Sequence, residues 1–519
     1  MKKSFFKVLA FILFLPALLM AGSLKARAEE TAEAEKLDIT VTISDGTSAA
    51  KLLDANYESA IKLNAGTKIT IEAAEPMKGL YVIWDSLVPE WTLTLDGKET
   101  VCGKNGFLHE YISIPDGAKQ AVIEIPDGGK VGTQSGTVQG GMRISDVYAY
   151  SEGKLPESVQ VWKPVTDRAD ILFFSTHGDD EHIFFGGVLE YYGKELGLDV
   201  QVAYFTQHWV YDASSKIREH EKLNGLWLAG ADRYPILGSF PDAYSTTLDG
   251  ALKTISLDDG ILFITQCIRR CKPQVVLTHD INGEYGHGQH MLVSKATISA
   301  VEKAEDASFD EATAAKYGTW SVPKFYIHLY KENPVHIDYR KPLESFGGKT
   351  ALDVAKEAYK CHISQQWCWF YVSDDYEYSI SDYGLYRTNV GPDVNGDDFM
   401  ENIVSYAEQD RIAEEERLAE EARKKAEEER LAEEARKKAE EEQRKKEEEQ
   451  RKKEEAERKL HEEELEAQRK ADEEYRRQQA ELELELKKAQ QRATIVLGVC
   501  AAICVVAAAG AVFLIKRRR

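Results

Sequence analysis

Ala169-Asp170-Ile171-Leu172-Phe173-Phe174-Ser175-Thr176-His177-Gly178-Asp179-Asp180-Glu181 is the stretch that decides the fold. Its apolar half reads as a buried strand, and its polar half follows at once with one imidazole and two adjacent carboxylates. Gly186-Gly187 follows near a helix start. In an open α/β sheet, ligands bind beyond the carboxyl ends of the strands, which is where these groups fall. Roughly 110 residues further on, a second apolar run, Pro273-Gln274-Val275-Val276-Leu277-Thr278, leads to Glu284-Tyr285-Gly286-His287-Gly288-Gln289-His290. Two histidine clusters after two strands are the raw material of a metal site.

Outward from that stretch, strands alternate with helical patterns from about Val165 to Ala407. Asp199–Phe205 reads as a strand, Ser214–Ala229 as a helix with a serine cap, and further helices are expected near 257–270 and after His290. The alternation predicts an α/β domain over 165–407 with a Rossmann-like parallel sheet. No G-x-G-x-x-G follows the first strand, so a dinucleotide site is not indicated.

Ahead of it, residues 37–162 alternate with period two, in runs such as Leu37–Ile43, Thr67–Glu72 and Trp91–Leu95. Turn pairs such as Asp45-Gly46 and Asp96-Gly97 separate the runs. An antiparallel β-sandwich is expected there, in general style like a galactose-binding module. Trp84, Trp91 and Tyr81 could stack on sugar rings, but each more ordinarily fills a core. Behind the α/β domain, residues 408–492 are almost wholly Glu, Lys, Arg, Ala and Gln, and Arg417–Glu429 is restated from Arg430 to Glu442. These are strong helix formers with i,i+4 charge pairs such as Glu420 to Lys424. A 13-residue shift turns a helix by about 220°, so Leu418 and Leu431 lie on different faces and no apolar seam forms. An isolated charged α-helical stalk on the order of 120 Å is expected, with a weak dimeric coiled coil or disorder as alternatives.

The ends suggest a compartment. Residues 1–28 read as a signal peptide, with Met1-Lys2-Lys3, an apolar run and Ala26-Arg27-Ala28. Residues 493–515 are a continuous apolar run of membrane-spanning length, followed by the basic tail 516–519. The expectation is one transmembrane helix, single-pass in the cell membrane, with the C-terminus inside and the catalytic domain extracellular. A net charge of −22 over 519 residues argues against nucleic acid as a partner. Of seven cysteines, Cys500 and Cys504 lie in the apolar run and five lie outside it; Cys361 with Cys368 is one local pairing that spacing allows. Oligomeric state is not legible.

The chemistry rests on a few residues. A hydrolytic zinc site needs three nitrogen or oxygen ligands, an open position and a base beside it. His177 and Asp180 are three apart after a strand, and His290 can close the set. Asp179 then stays free to take the proton of an attacking water, and His287 could donate to a tetrahedral oxyanion.

His177-Gly178-Asp179-Asp180-Glu181 with Gly186-Gly187, and Tyr285-Gly286-His287-Gly288-Gln289-His290, resemble the two signature motifs of the PIG-L/LmbE family of zinc-dependent N-deacetylases. Arg218 with Glu221, Phe240-Pro241-Asp242 and His362-Ile363-Ser364-Gln365 add to the likeness, which covers roughly 168–395. The resemblance implies zinc on His177, Asp180 and His290, Asp179 as general base, and His287 and Tyr285 at the intermediate. It implies an N-acetylated amino-sugar glycan as substrate, with Arg218 and Asp242 on the substrate side. Iron, cobalt or manganese suit the same ligand set. Three positions depart from the family pattern: Gly178 replaces a usual Pro, Thr206-Gln207-His208 replaces Thr-x-Gly, and Gln289 replaces a frequent Asp. The expected function is removal of acetyl from N-acetylglucosamine-type residues of a cell-surface or extracellular glycan. The alternative is a surface-anchored glycan-binding adhesin whose metal domain is a scaffold, although such a protein has no need of a free Asp179. His279-Asp280 read as outer support for the ligands, and His182, His220, His109, His328, His336 and His461 as background.

Overall fold

The structure is a computed structural model that describes residues 32–85, 87, 90–125, 130–133, 136–139, 142–208, 217–453, 473–489, 491–492 and 514–516. The first sheet has strands β1 (Ile39–Ile43), β2 (Ile61–Leu63), β3 (Lys68–Trp84), β4 (Trp91–Leu95), β5 (Lys98–Cys102), β6 (His109–Glu124) and, after a separate hairpin of β7 (Lys130–Thr133) and β8 (Gly136–Gln139), β9 (Met142–Tyr150). All its pairings are antiparallel, in the order β2-β9-β3-β6-β4-β5 with β1 beside β3. The expected sandwich is one continuous seven-stranded sheet, because the long strands β3 and β6 run through it from end to end. Their register shifts between Glu72 and Gly79, as a strand must when it passes from one packed half to the other. Ile69 and Ile71 from one half share a buried cluster with Leu80, Val82 and Trp84 from the other. Trp84, Trp91 and Tyr81 are buried, so they serve the interior and are not available to stack on sugar.

The second sheet holds β10 (Ile171–Ser175), β11 (Val200–Gln207), β12 (Ile236–Pro241), β13 (Val275–Thr278), β14 (Lys324–His328), β15 (Pro334–His336), β16 (Ser379–Thr388) and β17 (Leu514–Lys516). From β12 through β11, β10 and β13 to β14 the strands are parallel. The expected all-parallel sheet is corrected here: β16 pairs antiparallel with β14, and β15 and β17 pair antiparallel with β16. Pleating explains the apolar runs. Ile171 and Phe173 enter one core and Leu172 and Phe174 the other, with Val275 and Val276 dividing in the same way. Each such side chain contributes about 1.5–3 kcal/mol by its burial.

The helices are α1 (Asp180–Ile183), α2 (Ile217–Leu228), α3 (Leu248–Ala251), α4 (Leu257–Cys271), α5 (Gly288–Lys303), α6 (Glu311–Tyr317), α7 (Ala351–Tyr359) and α8 (Tyr406–Lys453), with a wider-wound turn at Val188–Glu195 after α1. The serine cap expected for α2 lies outside the described residues. The chain passes from β10 to β11 on one side and later to β13 on the other side of β10. The strand order therefore reverses between β10 and β13, and the crevice at such a point is where α/β sheets bind ligands. The two sheets meet through Phe107, whose ring stacks on Tyr234 at 4.6 Å, and through His109 and His220, whose Nε2 and Nδ1 lie 2.9 Å apart.

The expected charged segment is helical over α8 and over 473–489. It is not one straight rod, however. The Lys437 ammonium sits 4.9 Å from the centre of the Tyr475 ring, whereas 38 residues of straight helix would separate the two by about 57 Å. Residues 473–489 therefore lie alongside α8 rather than continuing its axis. Leu418, Leu431 and Leu484 are each about half exposed, so they form no buried seam.

The expected transmembrane helix is also corrected. Among the described residues no helix is long and apolar enough to cross a membrane. Residues 493–513 lie outside the described residues, but Leu514–Lys516, across the end of the expected span, form β17 against Ser379 and Ile380 of the second sheet. Single-pass anchoring, with the localisation it implied, is withdrawn on that ground. The expected signal peptide, 1–28, lies outside the described residues. Cys102, Cys267, Cys271, Cys361 and Cys368 are all free thiols.

Candidate metal centre and the loops that build it

His177 follows β10, Asp180 opens α1, and His290 lies in the first turn of α5. Their donor atoms converge: His177 Nδ1 is 3.1 Å from Asp180 Oδ2 and 3.2 Å from His290 Nε2, which is 3.2 Å from the same carboxylate oxygen. Ligand atoms bonded at ~2.0–2.1 Å to one tetrahedral ion stand about this far apart. The other ring nitrogens fix the tautomers. His177 Nε2 donates to Gln289 Oε1 at 2.9 Å, and His290 Nδ1 donates to Glu284 Oε2 at 2.7 Å. Both remaining lone pairs then face the gap beside Asp180, and the set of two nitrogens and one oxygen fits zinc.

Electrostatics agrees with convergence on a cation. Burial alone would raise the Asp180 carboxyl, but His290 and His177 hold it well below the carboxylate range. Burial likewise works against a charged His290, yet Asp180 and Glu284 lift its pKa to about 9.

Glu284 is the residue whose importance the sequence did not disclose. Fully buried, it accepts from His279 Nδ1 at 2.8 Å, His290 Nδ1 at 2.7 Å and His328 Nδ1 at 2.6 Å, and from the Asp280 backbone N–H at 3.0 Å. His279 in turn accepts from the Thr176 N–H at 3.0 Å, which ties the turn after β10 to the end of β13. His328, read as background, belongs to this network. Gln289 does what the missing carboxylate was expected to do: its Oε1 accepts from His177 and its amide donates to Pro241 O at 2.8 Å.

Asp179 stands beside the triad with a side chain that is not needed for it. Its backbone is strained, at φ 153° and ψ −28°. Strain of that kind costs of order 1–3 kcal/mol and persists where surrounding contacts enforce it. Here Glu181 Oε2 accepts the Asp179 N–H at 2.7 Å. Burial pushes the Asp179 carboxyl up to about 6, against the pull of Arg218. Glu181 itself is held down to about 2 despite burial, by His362 and His182; His362 Nε2 lies 2.7 Å from it. Tyr285 is the second strained residue at the site, with φ 47°.

His287 caps α5. Its Nδ1 accepts the Gln289 N–H at 3.2 Å, so the proton of the neutral ring is on Nε2. Burial, then His290 and His177, keep the ring neutral by pushing its pKa far below the usual value. The ring lies 4.8 Å from that of His177 and 5.5 Å from that of Tyr285.

Arg218 donates to Asp242 Oδ2 at 2.8 Å and to Gly178 O at 3.0 Å, with Asp179 Oδ1 at 3.5 Å. Glu221 is occupied by Ser364, whose N–H and hydroxyl lie 2.7 and 2.6 Å from it. Asp242, partly exposed, reaches to 3.6 Å from His177 Nε2. Gly178 has a reason to be glycine: a Cβ there would stand 2.3 Å from Lys222 Cε, and the buried Lys222 is held by Glu219 at 3.0 Å.

All eight residues singled out from the sequence thus meet in one crevice: His177, Asp179, Asp180, Arg218, Asp242, Tyr285, His287 and His290. Comparison with known proteins gives the same segment a family. Residues 172–301 match the family described as PIG-L, GlcNAc-PI de-N-acetylase. This segment is a PIG-L domain. The chain is also similar to two proteins named 1D-myo-inositol 2-acetamido-2-deoxy-alpha-D-glucopyranoside deacetylase. The one from Rhodococcus erythropolis is 32% identical over 180 residues, 30% of this chain and 59% of the relative. The one from Rhodococcus jostii is 30% identical over 179 residues, 30% of this chain and 60% of the relative. The chain therefore spans about three fifths of the length of these curated relatives. Among solved structures, an N,N'-diacetylchitobiose deacetylase from Pyrococcus horikoshii aligns with 38% of this chain and 71% of its own, at 18% identity and a TM-score of 0.30. The metal triad and Asp179 all lie inside the matched PIG-L segment.

Proposed function

We propose that the chain is a metal-dependent hydrolase that removes the acetyl group from an N-acetylglucosamine-type amide. The observation that carries this reading is the triad of donor atoms 3.1–3.2 Å apart, with a second carboxylate, that of Asp179, on strained backbone one residue from Asp180. The PIG-L match and the names of the relatives support the choice of substrate.

His177, Asp180 and His290 would hold the ion, and zinc bound there would polarise the acetyl carbonyl and make water a nucleophile near neutral pH. Asp179 takes the proton of the attacking water. Its pKa of about 6 leaves it ionised at neutral pH yet basic enough to accept. Glu181 fixes its backbone, and Arg218 keeps its carboxylate oriented. His287 offers its Nε2–H to the oxyanion of the tetrahedral intermediate, because its Nδ1 is taken by the Gln289 N–H and the ring proton is therefore on Nε2. Tyr285 lines the same wall. When the C–N bond breaks, the proton held by Asp179 passes to the leaving nitrogen, which gives acetate and a free amine. Arg218 and Asp242 form the polar edge for the sugar hydroxyls.

The test is acetate and free-amine release from a panel of N-acetylglucosamine compounds by the full chain and by an Asp179→Asn variant, with metal content measured in both. Release that falls about 10²–10⁴-fold in a variant still holding its metal supports the reading. A metal-loaded parent that releases nothing from any member of the panel sinks it.

A further inference from the structure

An aromatic shelf leads from the metal centre to the surface. Tyr285 packs on Phe370 with ring centres 4.4 Å apart, and Phe370 packs on Trp369 at 4.3 Å. Trp369 is 60% exposed, and its neighbour Trp367 is 82% exposed. From a second loop, after β12, Tyr244 lies with its ring 5.3 Å from that of His287 and is 73% exposed. Tryptophan side chains left this open forgo burial worth a few kcal/mol each, and large exposed aromatic rings beside a site mark a binding surface.

We propose that Trp369, Trp367 and Tyr244 are sugar-stacking subsites, and that the substrate is an oligosaccharide whose units next to the deacetylated one lie on these rings. The proposal rests on the amino-sugar deacetylase reading above and narrows its substrate class. The apolar C–H face of a pyranose suits the negative face of an aromatic ring, and a flat ring grips a sugar without fixing its hydroxyls. Continuity decides the occupant. Trp369 reaches the centre through Phe370 and Tyr285, and Tyr244 reaches it through His287, so whatever covers the shelf is joined to the group being hydrolysed. Both loops present rings at the mouth and Arg218–Asp242 as the polar edge, which matches a chain of alternating apolar faces and hydroxyl rims.

The experiment compares kcat/KM for N-acetylglucosamine oligomers from the monosaccharide to the pentasaccharide, in the full-length parent and in Trp369→Ala, Trp367→Ala and Tyr244→Ala variants. The expected result is a kcat/KM that climbs with chain length in the parent, and a long-to-short ratio that falls about tenfold in the Trp369→Ala variant through KM, or about 1.4 kcal/mol. A parent ratio near one, or variants that keep the parent's ratio, overturns the proposal. Loss of self-association in the Trp367→Ala/Trp369→Ala double variant, with the ratio unchanged, also overturns it and assigns the shelf to a second copy of the chain. If the loaded parent deacetylates nothing, tryptophan fluorescence during titration with the pentasaccharide separates the two readings. A spectral change abolished in the double variant upholds the shelf, and no change rejects it.

Discussion

The first sheet and the loop end of the second sheet bury comparable side chains to different ends. In the first sheet Trp84, Trp91, Leu93 and Ile123 meet almost without water, and the two tryptophan rings lie 5.5 Å apart. At the loop end of the second sheet the buried groups are His177, Asp179, Asp180, Glu181, His279, Glu284, His287, His290 and His328. Buried charge costs several kcal/mol per ion unless it is paired and hydrogen-bonded. That region persists because Glu284 collects three imidazoles and Asp180 two, so nearly every charge there has an opposite partner. Two residues also hold strained backbone, Asp179 and Tyr285. The contrast separates a region built for stability from one that spends stability on chemistry.

The widest gap between the two regions is expected from Trp84→Ala. It removes one of the two packed tryptophans of the first core and should cost about 3–5 kcal/mol in urea unfolding. Zinc affinity of the folded fraction should stay within a factor of about two, since separate sites are additive to a few tenths of a kcal/mol. A large loss of zinc affinity would show that the two regions are one cooperative unit. Next comes Glu284→Gln, which leaves the ligands in place but removes the charge that aligns His290. Zinc affinity should fall about 10–100-fold by competition titration. An unchanged affinity would mean that the three histidines hold their own orientation.

His290 gives the pH dependence. Its folded pKa, about 9, lies above the ordinary histidine value, so in the metal-free protein it contributes stability that is complete below about pH 6.5 and is lost as pH rises through about 9. Zinc must displace that proton, so affinity should move the other way, rising about tenfold per pH unit up to about 9. Thermal unfolding with and without zinc at several pH values measures both slopes. Equal slopes would remove His290 from the ligand set. The smallest effect is that of Asp179→Gly, which accepts the positive φ and should gain about 1 kcal/mol while abolishing hydrolysis. A loss of stability would mean that the carboxylate's contact with Arg218 outweighs the strain.

How much of this was legible in the sequence follows from how local each feature is. His177, Asp179 and Asp180 lie within four residues at one strand end, and Tyr285, His287 and His290 within six at another, so strand pattern and motif sufficed to bring them together. Glu284 sat in the quoted motif, but its role depends on His328 arriving from β14, a tertiary fact that no spacing encodes. Lys222 under Gly178 is of the same kind, since only the fold places the α2 side chain where the family's proline ring would stand. The antiparallel edge of the second sheet escaped notice because β15 and β16 come after the βαβ alternation that set the expectation. The transmembrane reading rested on hydropathy and the basic tail, neither of which registers that the end of the apolar run pairs with β16. The straight stalk was not to be told from its alternatives in sequence because uniform Glu, Lys and Arg favour helix everywhere, whereas one tertiary contact, Lys437 on Tyr475, sets 473–489 against α8.

Stepwise addition of zinc to metal-free protein, with acetate released from an N-acetylglucosamine substrate followed at each step, puts the metal centre to the test. Release should rise in proportion to zinc, level off at about one equivalent per chain, and be absent in a His177→Ala variant given the same zinc. Acetate release that is independent of added zinc, or that survives loss of His177, would contradict a metal-activated hydrolase at this crevice.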